Sequence, residues 1–146
     1  MEVNYSILLS LYYKEKPEYL RISLDSIFNQ TLVSDDVVLV EDGRLGDALE
    51  SVVKEYEVRY PQLHVVRFEK NRGLGFALND GLTYCKHELV ARMDTDDICV
   101  PERFAKQVAF IEQHPDTIIF GGQIAEFGEN IQDIVAYRNV PTEAQD

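Results

Sequence analysis

The 146-residue sequence has little of what would place a chain in a membrane or in a disulfide-stapled scaffold. No run approaches the roughly 20 apolar residues that a membrane-spanning helix requires, and the acidic start lacks the basic region of a signal peptide. Its two cysteines, Cys85 and Cys99, have no close partner that would indicate a zinc site or a disulfide. We therefore expect a soluble, intracellular protein with both thiols reduced.

Several catalytic motifs are also missing. The sequence contains no GxSxG elbow and no HExxH pair, and neither GxGxxG nor GxxxxGK occurs. These absences argue against acyl transfer, against a zinc site of that type, and against dinucleotide or P-loop binding. Basic residues are scarce as well, because 14 Lys and Arg stand against 26 Asp and Glu, for a net charge of −12. Such a charge repels a phosphate backbone, so we expect no nucleic-acid partner.

Apolar and β-branched residues are present in the amounts typical of one globular domain, with 45% of the chain apolar. Short apolar runs predict five strands, at Tyr5–Leu11, Asp36–Val40, His64–Phe68, Glu88–Met93 and Thr117–Phe120. Helical spacing of apolar residues predicts a helix in each interval, with Asp47 and Glu50 as a capping pair and Pro101 opening the last. This alternation predicts an α/β fold with a mainly parallel sheet and helices on both faces.

The end of the chain has a weaker pattern. One more short strand is expected within Gly121 to Gly128, and the polar tail beyond Asn139 is expected to be loosely attached.

Ligands of open α/β sheets bind beyond the carboxyl ends of the strands. Four polar segments follow the predicted strands and are expected to meet there: Ser10–Tyr13, Glu41–Gly43, Asn71–Gly75 and Asp94–Asp97.

The segment Asp94–Asp97 carries three carboxylates within four residues. Carboxylates this close repel one another unless a cation lies between them. Mg²⁺ and Mn²⁺ prefer oxygen ligands, often one or two carboxylates together with substrate phosphates. The segment therefore predicts a divalent-cation site. The alternative is that these aspartates cap the helix that begins near Pro101.

Three other residues are candidates for the remainder of a nucleotide site. Asp42 can accept a hydrogen bond from a ring N–H of uracil or guanine, and Tyr12 can stack on the base. The alternatives are a turn aspartate and an edge-packed aromatic ring. Arg72, at the start of a glycine-containing helix, can face phosphate together with free backbone N–H groups.

Together these segments resemble the family-2 glycosyltransferases of the GT-A fold, a Rossmann-like nucleotide-diphospho-sugar transferase fold. The resemblance rests on Ser6–Tyr12, Val37–Gly43, Asn71–Asn79, and Met93–Asp97 followed by Pro101-Glu102-Arg103. It implies that Asp94–Asp97 is the DxD motif of the family. Asp94 would lie near the ribose or sugar, Asp96 would ligate Mn²⁺ or Mg²⁺ on the donor diphosphate, and Asp97 would be an adjacent metal-site residue.

The resemblance also implies a nucleotide pocket lined by Ser10 and Tyr12, with Asp42 on the base. The implied activity is inverting transfer of a hexosyl group from a nucleotide sugar, most commonly a UDP-sugar, to a glycan or lipid-linked acceptor. The run from Asp94 to Arg103 is similar to bacterial enzymes of cell-surface polysaccharide synthesis. The implied location is cytoplasmic, at the inner face of the membrane. Peripheral membrane association and a homodimer are both compatible with that role.

In this family the general base lies well downstream of the DxD motif, so we expect it beyond residue 146. Residues 1–146 would then be the donor-binding N-terminal part of a GT-A domain, inactive by itself. Three departures from the family pattern leave the donor open: Glu41 before Asp42, Tyr13 where Asn is common, and Leu78 where Arg is frequent.

Three alternatives belong to other functional classes. A phosphoreceiver domain would need an acidic pair after its first strand and a lysine after its last. A nucleotidyltransferase would need a glycine-rich, basic first loop, whereas this loop reads Tyr12-Tyr13-Lys14-Glu15. A module that holds a nucleotide sugar without catalysis fits the 146 residues equally well.

Overall fold

The computed structural model of this chain describes residues 3–127, 132 and 134–138. The predicted loose tail beyond Asn139 lies outside these residues. The elements in chain order are β1 (Ser6–Leu11), α1 (Pro17–Phe28), β2 (Asp36–Asp42), α2 (Asp47–Arg59), β3 (Leu63–Phe68), α3 (Leu74–Leu82), β4 (Val90–Arg92), α4 (Arg103–Gln113), β5 (Ile124–Phe127) and β6 (Ile134–Arg138). The chain divides into two compact units, Met1–Val108 and Ala109–Asp146.

The first unit is built on a parallel sheet with strand order β3-β2-β1-β4. Each strand is joined to the next by a helix, as parallel pairing requires. The central strands β1 and β2 are buried along almost their whole length, which explains why their sequences are apolar runs rather than alternating patterns. The predicted α/β class and mainly parallel sheet are confirmed.

Alternate residues of each strand face opposite sides of this sheet. Ile7 and Leu9 of β1 face the larger core, which α1, α2 and the first part of α4 cover. Leu8 faces the other side, where Val38 and Val40 pack against Ala77 of α3. Helices therefore lie on both faces, as predicted.

Helix α3 lies very close to the sheet. A Cβ atom on Gly81 would lie 2.7 Å from Leu8 Cδ1 and 2.8 Å from Val40 Cγ2. The small residues Ala77 and Gly81 therefore face the sheet, while Leu74 and Leu82, two of the apolar residues whose spacing predicted this helix, are half exposed. The leucine spacing identified the helix but not the face that packs.

Two predicted helix starts differ from the structure. Helix α2 has Gly46 at its N-cap with no side-chain cap, so the predicted capping pair of Asp47 and Glu50 is wrong. The Glu50 carboxylate instead accepts a hydrogen bond from Arg67. Helix α4 begins at Arg103, two residues after Pro101.

The second unit contains an antiparallel pair of strands, β5 and β6. Strand β5 lies within the predicted segment Gly121 to Gly128. The predicted strand Thr117–Phe120 is wrong, because these residues are irregular and none of the strands in the described residues pairs with them. Ile118 and Ile119 are 94% and 89% exposed. Nowhere in the described part of the chain is a helix long and apolar enough to cross a membrane.

Candidate functional site

The sheet has one topological switch point. From β1 the chain proceeds to β2 and β3 on one side, and then returns to place β4 on the other side of β1. Because β1 and β4 are adjacent and parallel, the loops that follow their carboxyl ends lie side by side at this edge of the sheet, where ligands of open α/β sheets bind. The predicted acidic segment follows β4, and the segment containing Tyr12 follows β1.

The acidic segment forms a tight turn with its carboxylates outward. Oxygen atoms from Asp94, Asp96 and Asp97 all lie within 4.8 Å of one another, and all three residues are exposed. The Asp97 N–H donates to the Asp94 carbonyl at 3.2 Å, whereas Thr95 is only 4% exposed. Carboxylate oxygens at this spacing fit a hard divalent cation such as Mg²⁺ or Mn²⁺.

Charge repulsion within this turn is visible in one pKa. Partial burial, and then the neighbouring charges of Asp94 and Asp96, raise the pKa of Asp97 above its usual value. A bound cation would remove that repulsion. The capping alternative loses support, because α4 begins at Arg103, six residues after Asp97.

Helix α1 holds the segment that follows the acidic turn. Ser26 Oγ accepts from the Cys99 N–H at 3.1 Å. The Gln30 amide donates to the Val100 carbonyl at 2.8 Å and accepts from the Phe104 N–H at 3.2 Å. Ser26 of α1 and Gln30, two residues beyond its end, therefore fix the backbone between β4 and α4.

The loop after β1 touches the acidic turn directly. The Glu15 N–H donates to the Tyr12 carbonyl at 3.1 Å, which closes a turn. Glu15 Oε2 accepts from the Thr95 hydroxyl at 2.7 Å. The Tyr12 ring is 45% exposed and meets the Tyr13 ring edge-on at 5.9 Å. Ser10, near the end of β1, is partly buried.

Asp42 is buried and already has backbone partners. Its Oδ1 accepts from the Arg72 N–H at 2.8 Å, and its Oδ2 accepts from the Gly73 N–H at 3.0 Å. The same loop approaches Gly43 so closely that a Cβ there would lie 2.7 Å from the Asn71 nitrogen. Asp42 thus anchors the loop before α3. These bonds favour the alternative in which Asp42 is a turn aspartate over one in which it only binds the nucleotide base.

Arg72, in the loop before α3, also has partners on that helix. Its guanidinium pairs with Asp80 at 3.1 Å and lies over the Phe76 ring, 4.8 Å from the centroid. The side chain is half exposed. Its contact with phosphate stays a prediction.

Glu41 is the residue that sequence reasoning undervalued. It is 4% exposed, and among the described residues its Oε2 has no hydrogen-bond donor, although Arg67 Nε lies 3.3 Å away. Burial and then contact with the Glu50 carboxyl raise the pKa of Glu41 to about 8. Its unusual identity, glutamate where the family has aspartate, was the available signal.

Glu41 lines a cleft of about 190 Å³ near the carboxyl ends of β2 and β3. The other lining residues are Gly43, Arg44, Leu45, Glu50, Arg67, Phe68 and Glu69.

The parallel sheet and its two helical layers, with the acidic turn at the switch point, define a Rossmann-like α/β domain. The chain belongs to the family described as "Glycosyl transferase family 2", whose sequence profile matches residues 6–145. The fold is that of the GT-A glycosyltransferases.

Curated relatives carry names from the same family. The chain is 60% identical over 144 residues to an uncharacterized glycosyltransferase of Haemophilus influenzae, with 99% of this chain and 54% of the relative covered. It is 50% identical over 126 residues to the amylovoran biosynthesis glycosyltransferase AmsE of Erwinia amylovora, with 86% and 47% covered. It is 36% identical over 139 residues to the Escherichia coli UDP-Gal:alpha-D-GlcNAc-diphosphoundecaprenol beta-1,3-galactosyltransferase, with 95% and 50% covered. The chain therefore spans about half the length of these relatives.

A solved structure agrees with the fold. Residues 1–349 of Staphylococcus aureus TarS, in complex with UDP, match with a TM-score of 0.68 and 28% identity. The match covers 77% of this chain and 33% of that chain.

Proposed function

We propose that residues 1–146 are the donor-binding part of a GT-A glycosyltransferase and hold a nucleotide sugar, preferably a UDP-sugar, through a divalent cation. The observation that carries this proposal is the group of three exposed carboxylates within 4.8 Å, beside the Tyr12 turn. Asp94 and Asp96 would ligate Mn²⁺ or Mg²⁺, and Asp97, whose pKa is raised, would be the adjacent acid of the metal site.

Charge explains why a cation is needed. A carboxylate and a phosphate 4 Å apart repel by about 4 kcal/mol at an effective dielectric of 20. A diphosphate brought to three carboxylates of a chain with net charge −12 would therefore be rejected. Asp94 and Asp96 would hold a divalent ion beside the diphosphate, and when bound the ion would stabilise the charge that develops on the leaving diphosphate.

The remaining donor contacts follow from the surrounding side chains. The exposed Tyr12 ring offers a face for a base, and Ser10 lies two residues before it on β1. Asp42 lies at the end of β2 and holds the Arg72 backbone, so both residues border the donor from the α3 side. An Asp42 oxygen that already accepts one N–H keeps a second lone pair for a ring N–H.

The substrates of the whole protein are proposed from its relatives. The E. coli relative's name specifies UDP-Gal and a diphosphoundecaprenol-linked sugar, and AmsE is named for amylovoran biosynthesis. We propose transfer of a hexosyl group to a glycan or lipid-linked acceptor in cell-surface polysaccharide synthesis, at the cytoplasmic face of the membrane. In the inverting reaction an acceptor oxygen bonds to the anomeric carbon as the bond to the diphosphate breaks. A general base outside residues 1–146 would take the hydroxyl proton.

Calorimetric titration of UDP, GDP and ADP into the 146-residue chain, with Mn²⁺ or with EDTA, tests the proposal. We expect UDP binding that requires the cation and weakens at least about tenfold in Asp96→Ala, because one ligand is lost. The matched control is Asp116→Ala, which removes the same charge from an exposed turn of the second unit. Equal UDP affinity with EDTA and with Mn²⁺ would rule out the cation role of the three aspartates.

A further inference from the structure

Two turns meet at the switch point, and each is closed by one backbone hydrogen bond. One joins the Tyr12 carbonyl to the Glu15 N–H at 3.1 Å, and the other joins the Asp94 carbonyl to the Asp97 N–H at 3.2 Å. A side-chain hydrogen bond connects them, from the Thr95 hydroxyl to Glu15 Oε2 at 2.7 Å. Glu15 and Thr95 therefore join the turn that carries the exposed tyrosine to the turn that carries the carboxylates.

Thr95 fixes the direction of its neighbours. It is buried between Asp94 and Asp96, both of which are exposed. With the Thr95 hydroxyl held inward by Glu15, the backbone on each side of it presents the aspartate side chains outward. If Glu15 were removed, a buried hydroxyl would lose its partner, and the turn would lose the contact that fixes its orientation.

Glu15 is suited to hold the turn rather than to bind the cation itself. Its Oε1 accepts from the Lys16 N–H at 3.0 Å and its Oε2 accepts from Thr95, so a donor of the protein orients each oxygen. It also lies outside the group of carboxylates whose oxygens are within 4.8 Å of one another.

We propose that Glu15 is a positioning residue that acts through Thr95 to couple the acidic turn to the Tyr12 turn, so that cation binding and nucleoside diphosphate binding strengthen each other. This inference rests on the proposed function of the acidic turn. Coupling between two ligands is reciprocal: UDP must tighten Mn²⁺ binding by the same factor by which Mn²⁺ tightens UDP binding.

The test measures the Mn²⁺ dissociation constant of the 146-residue chain with and without saturating UDP. We expect Glu15→Ala to reduce the ratio of the two constants about tenfold. Glu15→Gln keeps one oxygen acceptor for the Thr95 hydroxyl and should retain most of the coupling. Glu18→Ala, which removes an exposed glutamate three residues away, is the matched control and should match the parent chain.

A second variant tests the same contact from its other end. Thr95→Val removes the hydroxyl, nearly preserves the buried volume, and replaces Glu15→Ala if that variant does not fold. Combining the two substitutions should reduce the coupling no further than either alone, because both remove one contact. A readout without metal is hydrogen exchange of the backbone amides of Asp94 to Asp97, which should be faster in both single variants and unchanged in Glu18→Ala.

The outcomes separate the two proposals. If the parent chain shows no cation-dependent UDP binding, the proposed function fails. If it shows such binding, and Glu15→Ala and Thr95→Val leave both the coupling ratio and the amide exchange unchanged, only the positioning role of Glu15 is overturned. An equal loss of Mn²⁺ affinity with and without UDP would likewise contradict the coupling.

Discussion

Replacing Glu41 by glutamine is expected to make the protein more stable at neutral and alkaline pH. Burial and the Glu50 carboxyl raise the pKa of Glu41 from an ordinary 4.5 to about 8, so the folded protein keeps this proton at pH 7. In the unfolded chain the Glu41 carboxyl has already lost its proton at pH 7, because its pKa there is the ordinary 4.5. Because the unfolded state binds fewer protons between these two pKa values, the free energy of unfolding falls as pH rises from about 4.5 to about 8. A glutamine imitates the protonated acid and does not titrate.

The size of the effect has a ceiling. The difference between 4.5 and about 8 corresponds to about 5 kcal/mol, at about 1.4 kcal/mol for each pKa unit. The net effect on the free energy of unfolding is smaller than this. Hydrogen bonds from Glu41 and Arg67 lower the pKa of Glu50, and a lowered carboxyl pKa stabilises the folded state at high pH. Because Glu41 and Glu50 shift each other's pKa in opposite directions, we expect a net gain of about 1 to 3 kcal/mol for Glu41→Gln at pH 8.

The assay is urea unfolding of the parent chain and Glu41→Gln at several values between about pH 5 and pH 9. The stability difference should be small at pH 5 and grow toward pH 8. Glu69→Gln is the control, because Glu69 lines the same cleft but is largely exposed and pairs only with Arg44 in the described structure. A difference between Glu41→Gln and the parent that stays constant across this range would refute the reasoning and make Glu41 an ionised partner of Arg67.

Two further predictions concern the loop before α3. Gly43→Ala should destabilise the protein by about 2 kcal/mol or more, because φ is +90° and the new Cβ would meet the Asn71 nitrogen at 2.7 Å. Gly75→Ala, inside α3 with open space around the new Cβ, should stabilise the protein by up to about 1 kcal/mol. Thermal unfolding of the two variants checks this difference. An equal effect at the two glycines would contradict the prediction. Asp42→Asn should cost about 1 to 2 kcal/mol in the same assay, because one of the two charge-assisted bonds to the Arg72 and Gly73 amides is lost. An unchanged midpoint for Asp42→Asn would mean that the anchor contributes nothing.

Local pattern was enough to find the acidic turn and most of the sheet. Asp94, Asp96 and Asp97 are neighbours in sequence, so their proximity needed no tertiary information. The strand that precedes Asp42 was also visible, but its predicted end at Val40 fell two residues short of the observed end. That boundary matters, because within a strand Glu41 and Asp42 face opposite sides of the sheet. Because β2 extends through both residues, the Glu41 carboxyl is directed toward Glu50 and the Asp42 carboxylate toward the Arg72 amide.

Contacts distant in sequence explain the remaining errors. Residues 117–120 have the apolar, β-branched character of a strand, yet a strand also requires a partner, and pairing partners are not encoded in a local run. The buried face of α3 follows from close approach at Gly81, whereas the leucines at the two ends of the helix, Leu74 and Leu82, stay half exposed. In both cases packing overrides a correct local pattern.

The polar residues of α1 show how the fold accommodates an acidic turn. Ser23 lies on the buried side of this helix, and Gln30, two residues beyond its end, is also buried. Burying a polar side chain costs free energy unless it forms hydrogen bonds. Gln30 bonds to backbone groups of Val100 and Phe104, and Ser23 Oγ lies 3.4 Å from the Asp94 carbonyl. A helix that served only the core would gain from apolar residues at these positions. Their presence therefore indicates that α1 and the residues just after it support the segment from Asp94 to Phe104 as well as covering the sheet. The turn with three mutually repelling carboxylates is thus held in place by uncharged hydrogen-bond donors and acceptors.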